Sequence, residues 1–208
     1  MKGTQHLLIG GATGAAIAFI RNNDLIETSL IIGVSSFASL APDLDTNGKL
    51  SRRMTISYSL VRKLIFLLGV CLAAYLILYQ KHDLWIGATV LIASTFASMR
   101  FIKPKTMNIV TSLCFVGFGV YFSISWLVGL GIFFGVAAFS PHRGITHSLL
   151  GLIYFTWVAS MFQSYYELNH ISIAACLGYA SHLLLDMRGF SYNKRGVKWF
   201  YPILSREW

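Results

Sequence analysis

The chain has 208 residues, 55% of them hydrophobic and 12% charged, with a net charge of +9 and a mean hydropathy of +0.62. A water-soluble domain is about 45–50% apolar and about 25% charged. The composition therefore excludes an ordinary soluble core and makes a bilayer the expected solvent, so the positive charge is read by its position along the chain and not as a sign of nucleic-acid binding.

Eight apolar segments are predicted, at about 4–20, 25–41, 64–80, 84–102, 107–124, 126–140, 146–165 and 171–187. Most are long enough to cross a hydrocarbon layer as a helix. The first two and the sixth are short or carry glycine, which suits tilted, half-buried or re-entrant segments. The expected fold is an all-α, polytopic membrane helix bundle forming one domain over 1–208. Met1-Lys2 and Ala16-Ile17-Ala18 faintly resemble the ends of a signal peptide. The run between them is short and interrupted by Gly10, Gly11 and Gly14, so no cleavage is expected. Cys71, Cys114 and Cys176 lie in apolar runs without pairing spacing and read as small buried side chains.

The loops give an orientation. On the side of the N-terminus fall Lys2, Lys49, Arg52, Arg53, Arg62, Lys63, Arg100, Lys103, Lys105, Arg143, Arg188, Lys194, Arg195, Lys198 and Arg206. Only Arg21 and Lys81 fall on the other side. That bias predicts that both termini are cytoplasmic. The stretch 188–208 is basic and aromatic, with Phe190, Tyr192, Trp199, Phe200, Tyr201 and Trp208, and reads as an interfacial tail lying against membrane lipids.

Polar residues with ligand chemistry recur at the ends of these segments, again on the cytoplasmic side. His6 opens the first segment. Asp43 and Asp45 follow Pro42 at the end of the second, where an extended backbone would point both carboxylates the same way. Ser140-Pro141-His142-Arg143-Gly144-Ile145-Thr146-His147-Ser148 separates the sixth and seventh segments. Pro141 ends one helix, Gly144 permits a sharp turn, and Thr146 or Ser148 caps the next helix or orients a metal-bound water. His147 is expected in that helix's first turn. His182 and Asp186, four apart, share a helix face at the end of the eighth segment. Ionisable residues at membrane depth read as functional by default. His82 and His170 fall on the opposite side and are excluded. The expected ligand set is thus His6, Asp43, Asp45, His142, His147, His182 and Asp186. Nitrogen and oxygen donors without thiolate suit one or two divalent ions, zinc before manganese or iron. Arg143 cannot ligate a cation and suits an anionic substrate group.

Gln5-His6, Pro42-Asp43-Leu44-Asp45, the motif from His142 to Ser148, Ser181-His182-Leu183-Leu184-Leu185-Asp186, and Gly196-Val197 with Tyr201-Pro202 together resemble the YdjM-like inner-membrane proteins, a family of predicted metal-dependent hydrolases. The resemblance runs in order over about 4–203, although about 50–135 matches only in hydrophobic character. More distantly, Thr4-x-His6 and the His182-x-x-x-Asp186 helix are similar to those of zinc-dependent phospholipase C and P1-type nucleases. That similarity implies a phosphoester substrate, which the headgroup depth of the site would make lipid-borne. A hydrolase is the leading expectation. A transporter with a polar path toward Lys81 and His82, and a membrane scaffold with a structural metal, are the competing ones.

Overall fold

A computed structural model of the chain describes residues 3–21, 24–46, 55–80, 83–188 and 196–208. Among these residues there are eight α-helices, two short 3-10 turns and no strand. The helices are α1 (Gly3–Arg21), α2 (Leu25–Ala38), α3 (Tyr58–Leu78), α4 (Leu84–Phe101), α5 (Pro104–Tyr121), α6 (Ser125–Phe139), α7 (Leu149–Tyr165) and α8 (Ile171–Leu185). The first 3-10 turn, Ala41–Asp45, follows α2, and the second, Ile145–His147, precedes α7. Of the positions used in the charge bias and the aromatic tail, Lys2, Lys49, Arg52, Arg53, Lys81, Phe190, Tyr192, Lys194 and Arg195 lie outside the described residues, as does His82.

Successive helices pair as hairpins, α1 with α2, α3 with α4 and α5 with α6, and α8 packs across α1, α2 and α7. The α1–α2–α8 contact is made by aligned small residues. Gly10 and Gly14 recur every four residues after His6, Ser35 and Ser39 after Ile31, and Gly178 four before His182. A Cβ at Gly178 would sit 2.3 Å from the Ser35 carbonyl oxygen, and one at Gly14 would sit 2.8 Å from the Ile32 Cα. The Ser35 hydroxyl donates to the Gly10 carbonyl at 2.7 Å in the gap these glycines leave. Close backbone approach through small residues suits helices in a bilayer, where burial of apolar surface provides little drive. The same four-residue rows carry His6 and His182 to one end of the bundle.

Beneath that end, Phe133, Phe134, Phe155, Tyr179 and Leu183 form the main buried cluster, joined by Ala41 and Leu44 of the first turn and Val197 of the tail. The outer surface is strongly apolar: Leu64, Leu67, Leu68 and Phe96 on α3 and α4 are all about half exposed or more. α3 and α4 are each long and apolar enough to cross a membrane; α2, α6 and α8 are apolar but shorter. Cys71 is exposed on α3 instead of buried, and Cys114 and Cys176 are half-buried, because their helices turn much of their apolar surface outward.

Several boundaries differ from the predicted ones. α2 stops at Ala38, before Pro42 is reached. α3 starts at Tyr58 because Ser57 accepts a hydrogen bond from the Leu60 N–H, so Arg62 and Lys63 lie on the helix and not in a loop. There the Arg62 guanidinium donates to the Ile102 and Met99 carbonyls at the end of α4. The described part of the tail is docked. The Trp199 carbonyl accepts from Leu149 N–H at the start of α7, and Val197 and Trp208 exchange backbone hydrogen bonds.

Candidate metal centre

Each 3-10 turn delivers its side chains for a local reason. In the first, Pro42 sits in the first helical positions, where its fixed φ is already suitable. Residues i and i+2 then diverge, so Asp43 and Asp45 do not point the same way as an extended backbone would require. In the second, Gly144 lies where a Cβ would meet the Ser140 hydroxyl oxygen at 2.5 Å and the Pro141 carbonyl oxygen at 2.7 Å. Only glycine fits this approach. The turn ends at Ser148, which caps α7 by accepting from the Gly151 N–H and donates to the Ile145 carbonyl. His147 therefore precedes α7 and does not belong to its first turn.

The two aspartates address opposite ends of the His147 ring. Asp45 Oδ2 lies 3.1 Å from His147 Nδ1 and accepts from the Thr146 hydroxyl at 2.8 Å and the Arg143 N–H at 3.1 Å. Its Oδ1 lies 3.1 Å from His142 Nδ1. Burial raises the affinity of the Asp45 carboxyl for its proton, but the hydrogen bonds from His142, His147 and Thr146 outweigh it and hold the group down to about 2. The same bond to Asp45 raises His142 above the usual imidazole range. Asp45 is thus an anion, and both imidazoles give it their Nδ1–H. That leaves His147 Nε2 as the ring nitrogen facing His182 and Asp43, the arrangement by which a carboxylate orients a metal-binding histidine.

On α8, His182 Nδ1–H donates to the Ser39 carbonyl at 2.7 Å, so its Nε2 is also a lone pair. The two Nε2 atoms face each other 3.3 Å apart. Asp43 Oδ1 completes the group at 3.8 Å from His147 Nε2 and 3.9 Å from His182 Nε2. A triangle with sides of 3.3, 3.8 and 3.9 Å has its centre about 2.1 Å from each corner, the length of a bond from nitrogen or oxygen to zinc. Asp186 flanks the group, with Oδ2 3.8 Å from His182 Nε2 and Oδ1 3.4 Å from His6 Nε2. His6 stacks on His182 with ring centroids 3.9 Å apart, and its buried Nδ1 has no partner among the described residues.

These residues form three clusters able to hold a metal ion: His6, His182 and Asp186; Asp43, His147 and His182; and Asp45, His142 and His147. All seven predicted ligands are therefore brought together. They are not equivalent: the His142 side chain is 54% exposed and turned onto Asp45, whereas His147 and His182 are fully buried. Burial raises the Asp43 carboxyl above its ordinary value, although His147 and His6 oppose this.

Arg143 adopts a left-handed backbone conformation, φ 61°, and turns inward. Its guanidinium lies 3.4 Å from Asp186 Oδ2 and donates to the Gly196 carbonyl at 3.1 Å. It acts on a candidate ligand, where the sequence suggested a substrate anion. Thr146 holds Asp45, and Ser148 caps α7. Three contributors escaped the sequence reading: the backbone carbonyls of Ser39 and Gly196, which carry no residue signature, and Tyr179, whose hydroxyl donates to the Thr146 carbonyl. Tyr179 had a signal, lying three residues before His182 on the same helix face. His170 lies at the opposite end of α8, as expected.

No curated protein and no solved structure matches the chain. The family described as YdjM inner membrane protein matches over residues 1–208, the full span that carries the His, Asp and Arg stations. The chain belongs to the YdjM inner membrane protein family.

Proposed function

We propose that the chain is a membrane-embedded, metal-dependent hydrolase holding one divalent ion, zinc in preference to manganese or iron, at the cytoplasmic end of an eight-span bundle. The observation that carries the metal is the convergence of His147 Nε2, His182 Nε2 and Asp43 Oδ1 within 3.9 Å of one another, each offering one donor atom to a common point. A single ion follows from counting lone pairs. His147 and His182 each have one nitrogen committed to Asp45 or Ser39, so each has only Nε2 to give. Asp43, His147, His182 and Asp186 are the ligands in this reading, with His6 against Asp186 at the edge. Asp45, His142 and Thr146 orient His147, and Arg143 orients Asp186. A divalent ion there supplies Lewis acidity toward an oxygen of the substrate. The fifteen-to-two bias of basic residues supports cytoplasmic termini. A phosphoester, lipid-borne at this depth, is the substrate class we favour; it rests on the Thr4-x-His6 and His182-x-x-x-Asp186 patterns alone, since no comparison matches the chain to zinc-dependent phospholipase C or P1-type nucleases.

One observation favours a second reading, a structural metal tying helix ends together. His147 and His182 are fully buried, and Asp43, with its side chain 26% exposed, is the donor nearest solvent. Turnover separates the two. Zinc-loaded protein is assayed on aryl phosphate mono- and diesters and on phospholipids. The hydrolase reading predicts hydrolysis that a chelator abolishes, zinc restores, and Asp43→Asn lowers at least about a hundredfold. Metal-replete protein without turnover on any of them leaves the structural reading.

A further inference from the structure

α6 and α7 touch at a distance from the metal centre. At Gly129 a Cβ would lie 2.9 Å from Val158 Cγ2, and the Tyr154 hydroxyl donates across to the Gly129 carbonyl at 3.0 Å. Between this contact and the 140–148 connection lies a groove of about 410 Å³. Its wall includes Ile132 and Val136 of α6, Leu150 and Ile153 of α7, and the turn residues Ile145 and Thr146, which directly precede His147. Trp157 lines it at the end away from the turn, its ring centroid 5.7 Å from that of Tyr154. The groove therefore has a closed end and reaches the turn that carries a candidate metal ligand.

Chemistry and size decide what fits. The two side-chain hydroxyls on the wall are already engaged, Thr146 with Asp45 and Tyr154 with Gly129, so an occupant meets hydrocarbon and gains nothing from polar groups. An apolar cavity of about 150 Å³ takes up benzene, so this groove has room for roughly sixteen carbons. From Leu150 to Trp157 it runs about 10 Å along α7, which gives a section of about 40 Å², half that of a helix about 10 Å across. A helix from a partner or a second copy does not enter such a space; an acyl chain does. Val136, Leu150 and Ile153 are exposed, so the groove opens sideways onto the apolar layer around the bundle. At its cytoplasmic end the Trp199 carbonyl accepts from the Leu149 N–H, which brings Lys198 beside the start of α7, a cation at the level of a lipid phosphate.

We infer that the α6–α7 groove seats an acyl chain of a membrane phospholipid and thereby holds its phosphate at the end of the bundle that carries the metal centre. That this lipid is also turned over rests on the hydrolase reading; that it binds does not.

The test is photolabelling of the full chain in vesicles of phosphatidylethanolamine and phosphatidylglycerol, with a trace of phosphatidylglycerol carrying a diazirine in the first half of one acyl chain. Digestion and mass spectrometry locate the adducts. Leu64 on α3 and Phe96 on α4 are exposed near the cytoplasmic ends of their helices without lining the groove, and report ordinary contact with bulk lipid. Adducts on Leu150 and Ile153 are expected at least about fivefold above those on Leu64 and Phe96. Val136→Trp fills the groove from a lipid-facing position and is expected to reduce the Leu150 adduct about fivefold without changing those on Leu64 and Phe96. Ile153→Trp does the same from α7 should Val136→Trp fail to fold. Both are expected to lower kcat/KM for a phospholipid about tenfold relative to that for an aryl phosphate. Groove labelling with no phosphoester hydrolysed supports the lipid site and removes the hydrolase reading. Equal labelling of the groove and of α3 and α4 overturns the inference, whatever the turnover, and leaves the groove filled by bulk lipid alone.

Discussion

His147 is held from both ends of its ring, and the two ends do different work. Asp45 fixes the Nδ1 proton and is itself held by Thr146 and the Arg143 amide, while Nε2 faces His182 and Asp43. This separates two aspartates that look alike in the sequence. Asp43→Ala removes a donor and is expected to abolish tight metal binding. Asp45→Asn leaves all donors in place but loosens the His147 tautomer, and is expected to weaken affinity about 10–100-fold with stoichiometry recovered at saturating metal. Metal titration of the two variants checks this, and equal losses in both would remove the distinction. Proline made the difference illegible beforehand. Pro42 suits both an extended segment and the first turn of a helix, and only the tertiary packing of Ala41 and Leu44 selects the latter. His182 and Asp186 were legible because helical periodicity alone puts positions four apart on one face.

At the scale of elements, the centre depends on three helices approaching through small residues. Gly178→Ala places a methyl group against the Ser35 backbone and is expected to destabilise the fold by about 1–3 kcal/mol and to lower metal affinity by displacing α8. Gly33→Ala on α2 meets nothing within 4 Å and is expected to be neutral or stabilising by up to about 1 kcal/mol. Thermal denaturation of both variants in one detergent makes the comparison; a similar loss in both would mean that close approach is not what these glycines provide. Ser148→Ala removes the α7 cap and is expected to cost about 1 kcal/mol with metal content intact, since its hydroxyl serves the Ile145 carbonyl and α7 rather than the centre. The sequence showed eight helical segments in nearly the right places. It did not show the two 3-10 turns, because turns of three to five residues leave no periodic pattern to read.

For the whole molecule, the N-terminus of α1, the turn after α2, the α6–α7 connection and the C-terminus of α8 meet at one end, and residues 196–208 close over it. The proposed topology, eight spans with cytoplasmic termini, predicts that a cysteine at Lys198, in a background lacking Cys71, Cys114 and Cys176, reacts with an impermeant maleimide only after the membrane is opened. A cysteine at Asn169, in the α7–α8 connection, reacts in intact cells; the reverse pattern would invert the topology. The claim on which the rest depends is a single ion between His147, His182 and Asp43. The most direct measurement is the metal content per chain of the purified protein and of His182→Ala by elemental mass spectrometry. The arrangement predicts about one divalent ion per chain in the parent and almost none in His182→Ala, because every tight donor group here except the Asp45–His142–His147 cluster includes His182. Equal metal content in the two proteins would contradict it.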